Sequence, residues 1–308
     1  MQGIFTSESV SKGHPDRVAD QISEAILDAC LAQDKFSRVA VGCLCTTDHV
    51  TIAGEVSTSA RIDYDKLVRR VVHDIGYTSP ELGFCSNTLS VTNLIHEQSP
   101  DISMGIQKAD GCIGCGDQGI FFGGACNDTA ALMPLPIYLA RRLTDKFTEL
   151  RESGYFGWAR PDAKSQVSVV YENDIPKLVD TVVMAVQHDP DISTSEVERR
   201  VKEHVVIPVL AEEGYAAQKI LVNQTGKFVL GGPAGDTGVT GRKLMVDTYG
   251  GYYRHGGGNF NGKDPTKVDR TFAYGARYLA KNIVAAGVCN SCEIQLSSCI
   301  GVAEPISM

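Results

Sequence analysis

Positive charge is scarce in this chain: 29 lysines and arginines stand against 37 aspartates and glutamates, a formal net charge of −8 over 308 residues. A general nucleic-acid binder carries a basic excess, so that class is set aside, while a local basic pocket is not. Long apolar runs are missing too. No stretch approaches the length that spans a bilayer. The opening MQGIFTSESV lacks the basic segment and apolar run of a secretory signal. The expectation is a soluble, cytoplasmic protein with no nucleic-acid and no membrane partner. A P-loop and the kinase motifs are also absent, which leaves an ordinary kinase without support. Ten cysteines are present, and Cys112/Cys115 and Cys289/Cys292 have zinc-ligand spacing, but no histidine cluster accompanies them. In a reducing compartment they read as core or surface thiols, with metal binding the secondary reading.

With 43% hydrophobic content the chain can bury a substantial core, as one large domain or as two to three lobes. Apolar residues at helical spacing predict helices over Asp16–Gln33, Ile137–Ser153 and Lys267–Ala286, with Gly154 and Gly287 placed as stops. Strand-like sequence follows each. Arg38–Thr47 and Val50–Ser57 flank Asp48-His49, and Gln166–Tyr171 and Leu178–Gln187 flank Glu172-Asn173-Asp174, as two hairpins. Amphipathic stretches at Asp65–Ile75 and Ser195–Val206 come next. The order helix, hairpin, helix thus occurs twice, and a third round begins with the last helix and a strand over Glu293–Val302. No partner strand or helix follows before Met308. The reading is an α+β protein of repeated lobes with the third incomplete.

Three glycine-bearing stretches carry the chemistry. Gly13-His14-Pro15-Asp16-Arg17 runs into a helix, whose N-terminus offers free N–H groups and the positive end of its dipole to phosphate. His14 suits a phosphate oxygen and Asp16 suits Mg²⁺; equally, Asp16 is a helix cap. Far along the chain, Gly231–Asp236, Gly241-Arg242-Lys243, Arg254–Gly258 and Gly262–Asp269 gather cations in glycine-rich sequence and lead to another helix start. Glycines let backbone approach a ligand while Arg and Lys neutralise it, and Asp269 sits where a second Mg²⁺ ligand could be. A solvated glycine-rich loop is the alternative. Gly114–Gly119 resembles a nucleotide loop, with Asp117 in a tight turn as the plainer reading.

In this order, and together with Phe5–Val10, Gln98–Ile102, Arg160–Gln166 and Ile300–Pro305, these segments resemble the S-adenosylmethionine synthetases over essentially the whole chain. The resemblance implies three similar α+β lobes around a pseudo-threefold axis: residues 1–12 plus 125–230, residues 13–100 plus 231–270, and residues 101–124 plus 271–308, the last one short. It implies synthesis of S-adenosylmethionine from ATP and L-methionine, in a homodimer or dimer of dimers with sites between subunits. It assigns catalytic roles to His14, Lys164, Arg242, Lys243, Lys263, Lys267 and Asp117. ATP falls to His14, Asp162, Lys164, Lys227, Phe228, Asp236, Arg242, Lys243 and Lys263, and methionine to Glu55, Gln98, Asp117, Asp236, Lys267 and Ile300. Asp16 and Asp269 hold two Mg²⁺ ions, and Gln98–Gly111 matches a mobile loop over the site.

The chain departs from that pattern in places. Gly42 stands where a glutamate beside a monovalent cation is usual, so K⁺ activation is expected to be weak or absent. Arg17 replaces a usual lysine and Lys227 a usual arginine. The chain also stops before the family's usual C-terminus, which is expected to leave a hydrophobic face and a sheet edge uncovered. A non-catalytic paralogue that binds ATP or joins a complete subunit is the alternative function.

Overall fold

The computed structural model describes residues 2–97 and 114–308. Strand β1 (Gly3–Val10) leads to helix α1 (Pro15–Gln33), the hairpin β2 (Arg38–Thr46) and β3 (His49–Ser57), and helix α2 (Tyr64–Ile75). Strands β4 (Ser90–His96) and β5 (Gly119–Cys126) precede α3 (Leu135–Glu152), the long hairpin β6 (Ala159–Glu172) and β7 (Ile175–His188), and α4 (Thr194–Val201). A π-turn over Lys202–Val206 connects to α5 (Ile207–Glu212). Next come β8 (Ala217–Val222), the two-residue β9 (Gly238–Val239), α6 (Leu244–Asp247), α7 (Val268–Ala285) and β10 (Ser291–Ser298).

Helices α1, α2, α3 and α7 lie where the apolar spacing places them. Pro15 at the start of α1 and Pro136 in the first turn of α3 fit, because the first helical N–H groups have no partner to lose. The helix expected over Ser195–Val206 needs correcting. It does not end at Val206: the backbone stays helical through the π-turn over Lys202–Val206 and runs on into α5 past Pro208, whose missing N–H is tolerated where the π-turn has already shifted the hydrogen-bond ladder. The long hairpin turns on Asn173 and Asp174, both at positive φ (52° and 64°), which suits the twist of its strands. The last strand stops at Ser298 rather than Val302. There the backbone turns so that Gly301 N–H donates to the Cys115 carbonyl at 2.8 Å and Cys115 N–H to that of Val302 at 2.9 Å.

Two sheets share one layout. In β4–β3–β2–β9 and in β1–β6–β7–β8 a hairpin forms the centre. One edge strand runs parallel to it (β4 on β3, β8 on β7) and the other antiparallel (β9 on β2, β1 on β6). Strand β10 pairs antiparallel with β5 beneath α7, and the tail returns to β10 through a Ser297–Ser307 bridge. Tyr274, Tyr278 and Leu279 of α7 are exposed.

Alternation decides which residues reach the core. Val39, Val41, Cys43 and Cys45 of β2 point inward onto Val18, Ile22 and Ile26 of α1. Val167 and Val169 of β6 do the same beneath Leu139, Leu143 and Phe147 of α3. Each such fully buried aliphatic side chain contributes about 1.5–3 kcal/mol. The intervening residues therefore face away from the helices: Ala40, Gly42 and Leu44, their neighbour Glu55 on β3, and Lys164 and Gln166 on β6. Those outer faces carry Glu55 and Lys164, two of the residues singled out from sequence.

Candidate active site

The N-terminus of α1 organises the first group of residues. His14 caps the helix: its Nδ1 accepts from the Asp16 N–H at 3.2 Å. Burial, followed by the charges of Lys243 and Lys164, pushes its pKa down to about 3, so the ring is neutral at physiological pH. A neutral ring that accepts at Nδ1 carries its proton on Nε2, which leaves an N–H donor. Asp16 is buried. Its Oδ1 accepts from Val239 N–H at 3.0 Å and its Oδ2 from Lys243 Nζ at 2.5 Å. Burial raises its pKa, but the bonds from Lys243 and Val239 outweigh that and hold it below the usual carboxylate value.

The glycine at 238 is required by this arrangement. A Cβ there would lie 2.0 Å from the Pro15 carbonyl oxygen, so only glycine lets the following loop lie on α1. That loop brings Arg242 and Lys243 to the helix end, where Glu8 of β1 joins them around a cavity of about 220 Å³. Arg242 Nη1 donates to the Thr237 carbonyl at 2.9 Å, and its Nε is 3.7 Å from Asp16.

A neighbouring cavity of about 180 Å³ is lined by His14, Asp162, Lys164, Phe228 and Asp236, with glycines 231, 232 and 235. Five residues assigned to ATP from sequence thus meet in one place. Asp162 accepts from the Gly232 N–H at 2.9 Å through Oδ2, while its buried Oδ1 has no protein partner. Burial pushes its pKa from the ordinary 3.8 up to about 6, against the lowering effects of Gly232 and Lys164. Phe228 is fixed by its backbone, donating to His188 Nε2 at 3.1 Å and accepting from the His188 N–H at 2.9 Å. Lys227 beside it is exposed.

A second group lies along the edge of β2. Val41 N–H donates to the Gly262 carbonyl, and Asp264 Oδ1 accepts from Val39 N–H at 2.8 Å, which lays residues 262–264 against the strand. Lys263, Ala40, Glu55 and His96 consequently stand side by side across the sheet. Lys263 Nζ is 2.6 Å from Asp269 Oδ2, Asp269 Oδ1 accepts from Gly258 N–H, and Lys267 pairs with Asp264 at 3.3 Å. His96 Nε2 is 3.6 Å from Glu55, a neighbour the sequence did not single out. Gly42 sits in the next outward row, where an added Cβ meets nothing within 4 Å.

A third group is Asp117 and Ile300, both exposed, at the end of the β5–β10 pair. Asp117 Oδ1 accepts from Gln118 N–H and its carbonyl from Ser298 Oγ. Gln98, Cys112 and the whole of the mobile loop expected over Gln98–Gly111 lie outside the described residues. Cys30, Cys43, Cys45, Cys85, Cys115 and Cys126 are buried as small core residues, and Cys289, Cys292 and Cys299 are partly buried.

The sequence matches three family models end to end. Residues 2–100 match the N-terminal domain of S-adenosylmethionine synthetase, residues 112–228 its central domain and residues 230–308 its C-terminal domain. The chain belongs to the S-adenosylmethionine synthetase family. It has that family's three-domain, mixed α+β architecture, and it is a methionine adenosyltransferase. Members of the family act on ATP and methionine, use Mg²⁺ and K⁺, and oligomerise. No helix among the described residues is long and apolar enough to cross a membrane.

The residues present fit Mg²⁺. Among the described residues no group of three or more His, Cys, Asp or Glu encloses a cation. Mg²⁺ does not need one, since it typically takes one or two carboxylates and completes its shell with water and substrate phosphates. Asp16 and Asp269 each offer hard carboxylate oxygens beside a lysine of the cationic set.

Proposed function

We propose that this synthetase joins the methionine sulfur to C5′ of ATP, expels the whole tripolyphosphate, and then hydrolyses it to pyrophosphate and phosphate. The observation that carries the reading is the meeting of His14, Lys164, Arg242 and Lys243 around the N-terminus of α1. A thioether has no proton to lose, so the attack needs no general base. It needs alignment and stabilisation of a highly charged leaving group. The His14 Nε2–H, the three cations and the helix N-terminus supply that stabilisation as donors fixed in advance. Lys263 and Lys267 extend it. Asp162 and Phe228 hold the adenosine end, with Lys227 at the rim. Asp16 and Asp269 would each hold a Mg²⁺ ion, which when bound adds positive charge opposite the phosphate oxygens.

Methionine is assigned to Glu55, Gln98, Asp117, Asp236, Lys267 and Ile300, with the Asp117 carboxylate facing the developing sulfonium. Within one chain, Glu55 and Asp117 belong to different groups from His14, and Lys164 and Glu55 lie on outward sheet faces that also expose Ile4, Leu44 and Leu94. A second copy laid sheet against sheet would complete the site and cover those side chains, as a homodimer or a pair of dimers. The division into residues 1–12 plus 125–230, 13–100 plus 231–270 and 101–124 plus 271–308, around a pseudo-threefold axis, is supported by β1 pairing with the distant β6 and by the shared layout of two sheets. The free thiols suit the cytoplasm.

The test is incubation of the purified protein with ATP, methionine and Mg²⁺, following S-adenosylmethionine, pyrophosphate and phosphate together. All three should form. A folded protein that binds ATP and yields none is instead the non-catalytic partner.

Gly42 makes a separate prediction. With no carboxylate at this outward position, replacing an inert monovalent cation by K⁺ should leave the rate unchanged. Gly42→Glu should introduce K⁺ activation, since it restores a carboxylate at a position where an added Cβ meets nothing within 4 Å. Wild-type activation by K⁺ would contradict this.

A further inference from the structure

Arg242 and Lys243 lie in a loop, and a loop holds charges in place only if something fixes it. Helix α1 presents Asp16, Ala19, Asp20 and Ser23 toward this loop, spaced three and four residues apart on one face. Beyond the Asp16–Val239 bond, Asp20 Oδ1 accepts from Gly241 N–H at 2.9 Å. Thr240 Oγ1 lies 3.1 Å from the Ala19 carbonyl and 2.7 Å from Ser23 Oγ, and it accepts from Cys43 N–H at 2.9 Å. The loop is thereby tied to both α1 and β2 immediately before its two cations.

Immediately after them the chain enters α6, which ends at Asp247. One guanidinium nitrogen of Arg17 reaches Asp20 Oδ2 at 3.1 Å and also Asp247 Oδ1. Asp20 and Asp247 are at least nine-tenths buried, with side-chain exposures of 3% and 9%. Two carboxylates and one arginine thus form a buried charge group behind the loop, with Asp247 Oδ2 left unpartnered, and they bracket residues 242 and 243 from both sides. Arg17 is also a position where this chain departs from the family's usual lysine.

We propose that Arg17, Asp20 and Thr240 are positioning residues for the polyphosphate, acting through the loop they hold and setting where Arg242 and Lys243 present their charge. The proposal rests on the reading of those two cations as part of the polyphosphate clamp. A misplacement of about 1 Å in such a clamp costs on the order of 100-fold in rate. Among the described residues the group's bonds run to the cation-bearing loop and to none of Glu55, Asp117, Asp236, Lys267 or Ile300.

The experiment uses Asp20→Asn, which turns an amide N–H toward Arg17, and Thr240→Val, which keeps shape and removes the hydroxyl. These are independent lesions, so failure of one variant to fold leaves the other as the test. Tripolyphosphate binding is measured by calorimetry with Mg²⁺ present, alongside kcat and KM for each substrate. The expected result in folded protein is weaker tripolyphosphate binding and a lower kcat, each by about 10-fold to 100-fold, with KM for methionine unchanged. Wild-type tripolyphosphate affinity and kcat in a folded variant overturn the proposal. Equal losses toward methionine and tripolyphosphate also overturn it, since they mark general loosening. A wild-type protein that binds no tripolyphosphate removes the clamp reading itself, and the proposal with it.

Discussion

Lys243→Met is expected to lower kcat by about 10²–10³, the cost of removing one preorganised charge donor to a developing anion. It should also destabilise the fold. Asp16 is 3% exposed and Lys243 15%, and they meet at 2.5 Å, so removing the lysine strands a buried carboxylate. Breaking such a pair costs about 3–5 kcal/mol, and the lower end applies here because Val239 N–H still donates to Asp16. Adding Asp16→Asn removes the stranded charge. The double variant should therefore recover much of the lost stability in denaturant titration while remaining inactive. Recovery of stability in the double variant measures the lysine's part in folding; its part in catalysis is read from the single variant alone, because Asp16→Asn also removes a carboxylate assigned to Mg²⁺. A Lys243→Met enzyme with wild-type kcat would remove Lys243 from the clamp.

Asp162→Asn should stabilise the free protein, and the gain should depend on pH. A carboxylate whose pKa rises from 3.8 to about 6 on folding costs about 3 kcal/mol when ionised. An amide at the same place leaves an unpaired N–H that takes back about 1 kcal/mol. The net gain is roughly 2 kcal/mol above pH 7, visible as a Tm several degrees higher. The sign follows from the raised pKa: the native state holds its proton more tightly, so wild-type stability improves as pH falls through about 6 and is fully restored below 3.8. The gap between variant and wild type should narrow over that window. Equal thermal unfolding of the two proteins at pH 8 would show that burial does not disfavour the Asp162 charge.

Why some of this was legible in sequence and some was not has local causes. Helix α1 announced itself through Val18, Ile22 and Ile26 at helical spacing after His14-Pro15, and the central hairpins through their apolar alternation. Strands β1, β4, β5, β8 and β9 carry no such signal and are not foreseen from sequence. Strand β1 reads Gly-Ile-Phe-Thr-Ser-Glu-Ser-Val, largely polar, and it forms because β6, more than 150 residues later, supplies its ladder. Strand β9 is two residues long and exists only where its loop lies on β2. The continuation of α4 past Pro208 was hidden because a proline inside an apolar pattern usually ends a helix.

The ligand groups followed the same division. His14 is singled out by its motif, and Asp162, Lys164, Phe228 and Asp236 by the family resemblance; the five meet around one cavity. Asp20 and Thr240 receive no role from sequence, because theirs lies in what they hold in place, and neither does Glu8, which lines the cavity beside Arg242 and Lys243. Asp20 did leave a trace: it stands four residues after Asp16, hence on the same face of α1, a spacing that marks it for notice once Asp16 is under suspicion.

The measurement that bears most directly on the central claim is a rapid-quench time course with ATP labelled in its γ-phosphate, at saturating methionine and Mg²⁺. If the clamp holds an intact leaving group, enzyme-bound tripolyphosphate and S-adenosylmethionine should rise together and in equal amounts, with labelled phosphate following. Labelled phosphate released before any S-adenosylmethionine, or a phosphorylated acceptor in its place, would contradict the account.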